Sequence, residues 1–291
     1  MKWEGGEESE NVEDVRGGVQ PAHFALGGGG VLILIVGYFL GFDPSQIMGL
    51  LQQTQGQSQS QSRPASGQVA PVQNDRTHHF IATILGYTEK VWGEQFQKLG
   101  KTYVPPHLKI FDGQVQTACG PATAAVGPFY CPADKVVYID PAFNDELEQK
   151  LGGSKAEFSQ AYVIAHEIGH HVQSLLGYGA IVDEKRRTLS KEEFNKWSVR
   201  LELQADYLAG VWAHYGQEKF HFIENGDAEA AIKSANAIGD DTLQRRAMGR
   251  VSPQNYTHGT SAQRVKWYKR GLDTGDLSQL KVIFELPYEQ L

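Results

Sequence analysis

Residues 154–177 read SKAEFSQAYVIAHEIGHHVQSLLG, and this stretch decides how the rest is understood. Ser154-Lys-Ala-Glu157 has the form of a capping box, and the helix it opens can run to Gly177. Within it stands His166-Glu167-Ile168-Gly169-His170. At about 100° per residue, His166 and His170 lie roughly 40° apart, one turn along the same face. Two imidazoles so placed can hold one Zn²⁺ at about 2.0–2.1 Å. Glu167, beside them, is placed to take a proton from a water whose pKa the metal has lowered. The competing reading is a helix with two ordinary polar histidines. The surrounding Ala161, Val163, Ile164, Ala165, Ile168 and Val172 argue for burial, where an unpaired histidine or glutamate is costly. Gly169 in mid-helix costs about 1 kcal/mol against alanine and points to close approach by another element. His171 falls about 140° round the helix from His166, so it faces away and is not counted as a ligand.

A catalytic zinc takes a third protein ligand and keeps one position for water. A second capping box, Ser190-Lys-Glu-Glu193, opens a helix that can run to Gly216 and carries Glu202-Leu-Gln-Ala-Asp206. Glu202 and Asp206 share one face at i and i+4, and that face continues into Ala209 and Ala213. Two carboxylates on an apolar face repel each other and are poorly solvated. Metal ligation by Glu202, with Asp206 bonded to the outer nitrogen of a ligand histidine, resolves both problems. Otherwise both acids belong to an exposed, solvated face.

Working outward, His79–Leu99 has helical spacing (Phe80, Ile84, Val91, Trp92, Phe96) and stops at Gly100. Short β-like runs follow at Leu108–Phe111, Pro128–Cys131 and Val136–Ile139, with Pro132-Ala-Asp134 as a hairpin turn. Ala228–Ile238 reads as a further helix, and Thr260-Ser-Ala-Gln263 caps a last one ending near Gly271. A small sheet followed by helices is the α+β class.

The chain has 291 residues and a formal net charge of −7, with no long Lys/Arg run. That excludes general nucleic-acid binding, which needs a basic face. Phe24–Phe42 is 19 residues without a charge, enough at about 1.5 Å per residue to span roughly 30 Å of hydrocarbon. The preceding stretch is acidic, unlike a signal peptide, so an uncleaved transmembrane anchor is expected. Lys2 and Arg16 precede it and no Lys or Arg follows until Arg63, which places the N-terminus in the cytoplasm and the bulk of the chain outside. Residues rich in Gln, Ser, Gly and Pro from Leu51 to Asp75 cannot bury enough surface to offset their ordering entropy. The organisation expected is a cytoplasmic segment 1–23, a membrane helix 24–42, a disordered linker 43–75 and a folded domain 76–291. Two cysteines, Cys119 and Cys131, are too few for a thiolate zinc site and suit one disulfide outside the cytosol.

HExxH followed some thirty residues later by ExxxD resembles the gluzincin zinc peptidases. The chain is more closely similar to the bacterial family of predicted neutral zinc metallopeptidases. The residues that carry this are Asn11-Val-Glu-Asp14, the glycine-rich apolar stretch, Cys119-Gly-Pro121, Gly127-Pro-Phe-Tyr-Cys-Pro-Ala-Asp134, Val137-Tyr-Ile-Asp140, Ala165–Gln173, Glu202–Asp206 and His258-Gly-Thr-Ser-Ala-Gln-Arg264. The resemblance implies a zincin-like domain, zinc dependence and a single-pass anchor in the bacterial cell envelope. It also implies His166, His170 and Glu202 as ligands and Glu167 as base, acting on a peptide or protein. One departure is the opening, where the family usually carries more arginines and Glu7, Glu8 and Val15 stand here. By zincin likeness, Gly127–Ile139 lines the cleft and pairs with substrate by strand addition, or is an ordinary edge hairpin. A Cys119–Cys131 disulfide would fix this region, with free buried thiols as the other reading. His258, just before a capped helix, is the candidate oxyanion donor, or else caps and shapes that helix. The rival functional class is a zinc-containing peptide-binding or scaffold protein without turnover.

Overall fold

The computed structural model describes residues 1–17 and 75–291. Their elements are β1 (Val12–Asp14), α1 (Arg76–Lys98), β2 (His107–Ile110), β3 (Gln114–Thr117), β4 (Gly120–Thr123), β5 (Phe129–Cys131), β6 (Val136–Ile139), α2 (Phe143–Gln149), α3 (Glu157–Leu176), α4 (Tyr178–Thr188), α5 (Lys191–Phe220), α6 (Asp227–Ala237), α7 (Asp240–Met248), α8 (Ser261–Thr274) and α9 (Val282–Glu285), with short 3₁₀ turns between some of them. This is the α+β arrangement expected. The apolar Phe24–Phe42 stretch and all of the Gln/Ser-rich linker except Asp75 lie outside the described residues. Among the described residues, no helix is long and apolar enough to cross a membrane.

The main sheet has the order β1-β2-β6-β5, with β1, β2 and β6 parallel and β5 antiparallel to β6 in the register Tyr130↔Val137. β3 and β4 form a separate hairpin. Phe111, Val115, Cys131 and Tyr138 make a small second core beside it. Alternation is too short in these runs to separate β3 and β4 from loop by sequence.

Helix α5 is the central rod. It packs along α8 and crosses α3, and α1 and α4 also lie against it. Its crossing with α8 is close. A Cβ at Gly210 would sit 2.1 Å from Tyr268 O, and one at Gly271 would sit 2.1 Å from Tyr207 O. Gly271 therefore does not end the last helix, which continues to Thr274 because a glycine is needed there for contact. α5 likewise runs past Gly216 to Phe220. The Ser190 and Thr260 caps form as expected, the latter as a full capping box. The Ser154 box does not form. Ser154 Oγ accepts from Ala156 N at 3.2 Å, its own N–H goes to Ser234 Oγ on α6, and α3 begins at Glu157 without a side-chain cap. Tertiary contact with α6 has taken the serine from the local motif.

Residues 1–17 correct the expectation of a separate N-terminal segment. Trp3 is buried, which stabilises the fold by about 2 kcal/mol, and it meets Phe80 edge-on at 5.2 Å. Glu89 of α1 accepts from Ser9 Oγ at 2.6 Å and Asn11 Nδ2 at 2.8 Å, and β1 adds a strand beside β2. Three strand residues carry no legible period, which is why β1 could not be read in advance.

Candidate metal centre

Helix α3 is buried on the face that carries the motif. Gly169 lets it approach α5, since a Cβ there would lie 3.0 Å from Ala205 O. This close crossing brings the two halves of the site together. Ligand atoms of His166, His170 and Glu202 all lie within 4.8 Å of one another. His166 Nε2 is 3.2 Å from Glu202 Oε2, and His170 Nε2 is 3.5 Å from Glu202 Oε1. A tetrahedral ion with bonds of about 2.0–2.1 Å sets its ligand atoms roughly 3.3 Å apart. The donor set, two imidazoles and one carboxylate, fits zinc, and the two histidine–glutamate spacings match that figure.

The outer nitrogens of both histidines are fixed. Asp206, fully buried on α5, accepts from His166 Nδ1 at 2.9 Å. That hydrogen bond puts the proton on Nδ1 and leaves Nε2 for a metal. His170 Nδ1 donates to Gln173 Oε1 at 2.8 Å, and Gln173 is itself oriented by donating to Leu201 O at 2.6 Å. Asp206 is satisfied on both oxygens. Tyr162 donates to Oδ1 at 2.6 Å, and Arg264 donates from Nη2 to Oδ1 at 3.0 Å and from Nε to Oδ2 at 2.8 Å. Arg264 comes from α8 and is only 2 % exposed.

Charge is unevenly distributed. Burial disfavours the Asp206 anion, but Arg264 and His166 outweigh it and hold the carboxyl at about 2. Burial would also lower His166, yet Asp206 and Glu202 raise it to about 10, so without a metal the ring keeps its second proton. A metal at Nε2 takes the place of that proton. Burial alone would raise Glu202, but His170, His258 and the bond to His166 hold it well below the carboxylate range. Glu167 is shifted the other way. Burial, with Glu202 adding to it, raises its proton affinity against the pull of His166 and His170. A carboxylate so tuned is a better base.

These groups face a cavity of about 520 Å³ whose lining includes His166, Glu167, His170, Glu202, Tyr130 and His258. Tyr130 on β5 joins its wall to the motif helix twice. Its backbone N–H lies beside the Glu167 carboxylate and favours the anion. Its hydroxyl donates to His171 Nδ1 at 3.1 Å while His171 Nε2 donates to Val104 O at 2.7 Å. His171 is thus turned from the centre, and burial keeps it neutral by lowering its pKa. β5 is only three residues long, Phe129–Cys131. Pro128 and Pro132 stand at its two ends and have no N–H. Cys119 and Cys131 are joined in a disulfide that ties this strand to the β3–β4 hairpin.

His258 also lines the cavity. Its backbone N–H and those of Thr257 and Gly259 all converge on Asp240 Oδ2 at 2.7, 2.7 and 3.0 Å. Its Nδ1 faces Thr257 Oγ1 at 2.9 Å and Asp240 Oδ1 at 3.4 Å. Asp240 fixes the loop, and so fixes where the imidazole stands. Sequence reasoning assigned no part to Asp240, Tyr162, Gln173 or Arg264. Helical spacing carried a signal for two of them, since Tyr162 is one turn before His166 and Gln173 three residues after His170. Asp240 and Arg264 reach the site only through tertiary folding.

A sequence model of the family described as "Putative neutral zinc metallopeptidase" matches residues 1–283. The chain is 45 % identical over 286 residues to "Uncharacterized protein YpfJ" of Escherichia coli (strain K12), covering 96 % of this chain and 97 % of that one. It is 43 % identical over 183 residues to "Uncharacterized protein Rv2575" of Mycobacterium tuberculosis (strain ATCC 25618 / H37Rv), covering 60 % of this chain and 61 % of that one. No solved structure matches. A likeness that begins at the first residue and takes in every residue lining the cavity leaves one assignment: this chain belongs to the family of putative neutral zinc metallopeptidases.

Proposed function

We propose that this chain is a zinc-dependent peptidase, with the metal held by His166, His170 and Glu202 and with Glu167 as general base. The observation that carries this reading is the convergence of three zinc-type donors within 4.8 Å of one another, next to a buried carboxylate of raised proton affinity in the same cavity. Bound zinc supplies an electrophile for the scissile carbonyl and a water of lowered pKa. Glu167, with the Tyr130 N–H beside it, is the group that would take a proton from the attacking water and return it to the leaving amine. Asp206, backed by Arg264 and Tyr162, holds the His166 ring in one tautomer. His258 is placed to donate to the oxyanion as it develops, with Asp240 setting its position. An extended substrate lies along β5 and pairs with it by strand addition.

The chain is further proposed to act outside the cytoplasm, attached to a membrane through Phe24–Phe42. The Cys119–Cys131 disulfide supports an oxidising compartment, and the attachment rests on the apolar sequence alone. The test is zinc content and peptide hydrolysis of the full chain beside its Glu167→Gln and His166→Ala variants. One zinc per chain with hydrolysis in the parent, zinc without hydrolysis in the first variant, and neither in the second are expected. Zinc with no turnover of any peptide in the parent would favour a zinc-containing peptide-binding protein instead.

A further inference from the structure

The two flanks of the apolar Phe24–Phe42 stretch belong to one folded unit. Along residues 1–17, contact with residues 75–291 is nearly continuous. Lys2 N donates to Phe222 O at 2.8 Å. Trp3 is enclosed by Phe80 and by the Arg76 guanidinium 4.9 Å above its ring. Ser9 N donates to Ala82 O at 3.0 Å, and a Cβ at Gly86 would lie 2.5 Å from Glu7 O, so the segment's backbone rests directly on α1. β1 then pairs residue by residue with β2, from Val12 on Leu108 to Asp14 on Ile110. Arg16 closes the run on Asp14 at 2.5 Å and Asp75 at 3.0 Å.

A stretch of 19 residues at about 1.5 Å each crosses roughly 30 Å of hydrocarbon once and not twice. One complete crossing puts its flanks on opposite faces. To do so it would strip β1 from the sheet, open the Trp3 pocket and leave Glu89 without Ser9 and Asn11. Arg16 is committed to two aspartates of the fold rather than standing as a free marker of the cytoplasmic side.

We infer that residues 1–17 and 75–291 stand on the same face of the membrane, so that a single-pass arrangement with the N-terminus opposite the metal centre is not available to the folded chain. This rests on the membrane attachment proposed above. The disulfide names the shared face as the oxidising one.

The experiment uses the full chain in intact cells stripped of their outer layers. Two exposed positions, one per flank, are changed separately, Glu10→Cys and Lys269→Cys, and treated with a membrane-impermeant maleimide before and after permeabilisation. Labelling of both positions before permeabilisation is the expected result. Labelling of one before and the other only after would overturn the inference. Labelling of both only after permeabilisation would keep the flanks together and remove the extracytoplasmic reading instead. Membrane fractionation of the same cells tests the attachment separately, and a chain recovered wholly in the soluble fraction would withdraw that premise while the labelling still reports whether the flanks share a compartment.

Discussion

Arg264 Nε lies 2.8 Å from Asp206 Oδ2 while His166 Nδ1 lies 2.9 Å from Asp206 Oδ1, and neither Arg264 nor Asp206 is appreciably exposed. The carboxylate therefore mediates between a fixed cation and a ligand ring. Removing the cation leaves a buried anion with too few donors, which costs about 3–5 kcal/mol. Arg264→Met is expected to lower stability by that order and to weaken zinc binding roughly 10–100-fold, read by thermal melting and by chelator competition. Asp206→Asn should weaken zinc similarly. The double variant should lose less than the sum, because neither charge is then stranded. Strict additivity would show that Arg264 does not act through Asp206.

Glu167→Gln keeps the shape of the side chain and the site's three donors but removes the base. Zinc content by metal analysis should stay at one per chain, with turnover reduced by at least about 10²–10⁴-fold. Hydrolysis at the parent rate would show that another group takes the proton.

Glu202→Ala removes the only carboxylate among the three donors. Zinc occupancy after dialysis should fall to background, and the thermal midpoint should no longer rise when zinc is added. A variant that still holds one zinc would dismiss Glu202 as a ligand.

The metal-free chain should show a pH dependence that zinc abolishes. The imidazole of His166 has an ordinary pKa of 6.5 and is raised to about 10 in the fold. A raised folded pKa contributes stability that is complete below 6.5 and is lost as pH rises toward 10. Asp206 acts in the opposite sense, its contribution being present above 3.8 and lost as pH falls toward 2. The thermal midpoint of the metal-free chain should therefore decline on both sides. With zinc in place of the proton, the alkaline decline should disappear. A flat alkaline profile in the metal-free chain would mean that His166 is not held between the two carboxylates as described.

Reducing the Cys119–Cys131 link, or replacing both cysteines with serine, should cost about 3 kcal/mol from the closed loop. The effect should fall on the β3–β4 region and β5, measured by hydrogen exchange, with zinc retained.

Much of the centre was legible because a helix repeats. His166 with His170, and Glu202 with Asp206, could be placed on shared faces from spacing alone, and the apolar neighbours marked those faces as buried. The glycine at 169 announced the α3–α5 approach that the structure contains. What spacing cannot convey is which distant segment comes to the same place. Arg264 and Asp240 enter from α8 and the start of α7, and although Arg264 closes a motif of the family resemblance, no spacing ties either residue to the motif helix. The same limit hid β1, whose three residues gain meaning only from Leu108 and Ile110 beside them. Ser154 shows the converse. Its local motif was sound, but the hydroxyl of Ser234 claimed its backbone N–H and the helix began later.

The outward edge of β5 has a further effect, on encounters between copies of the protein. A strand bordering an open groove would ordinarily invite a neighbouring molecule to zip onto it and start a growing sheet. Here the strand is three residues long, and Pro128 and Pro132 at its ends have no N–H to offer a neighbour. Two edges so short and so flanked by proline gain little ladder from each other. The groove can stay accessible in a crowded compartment without becoming a seed for aggregation.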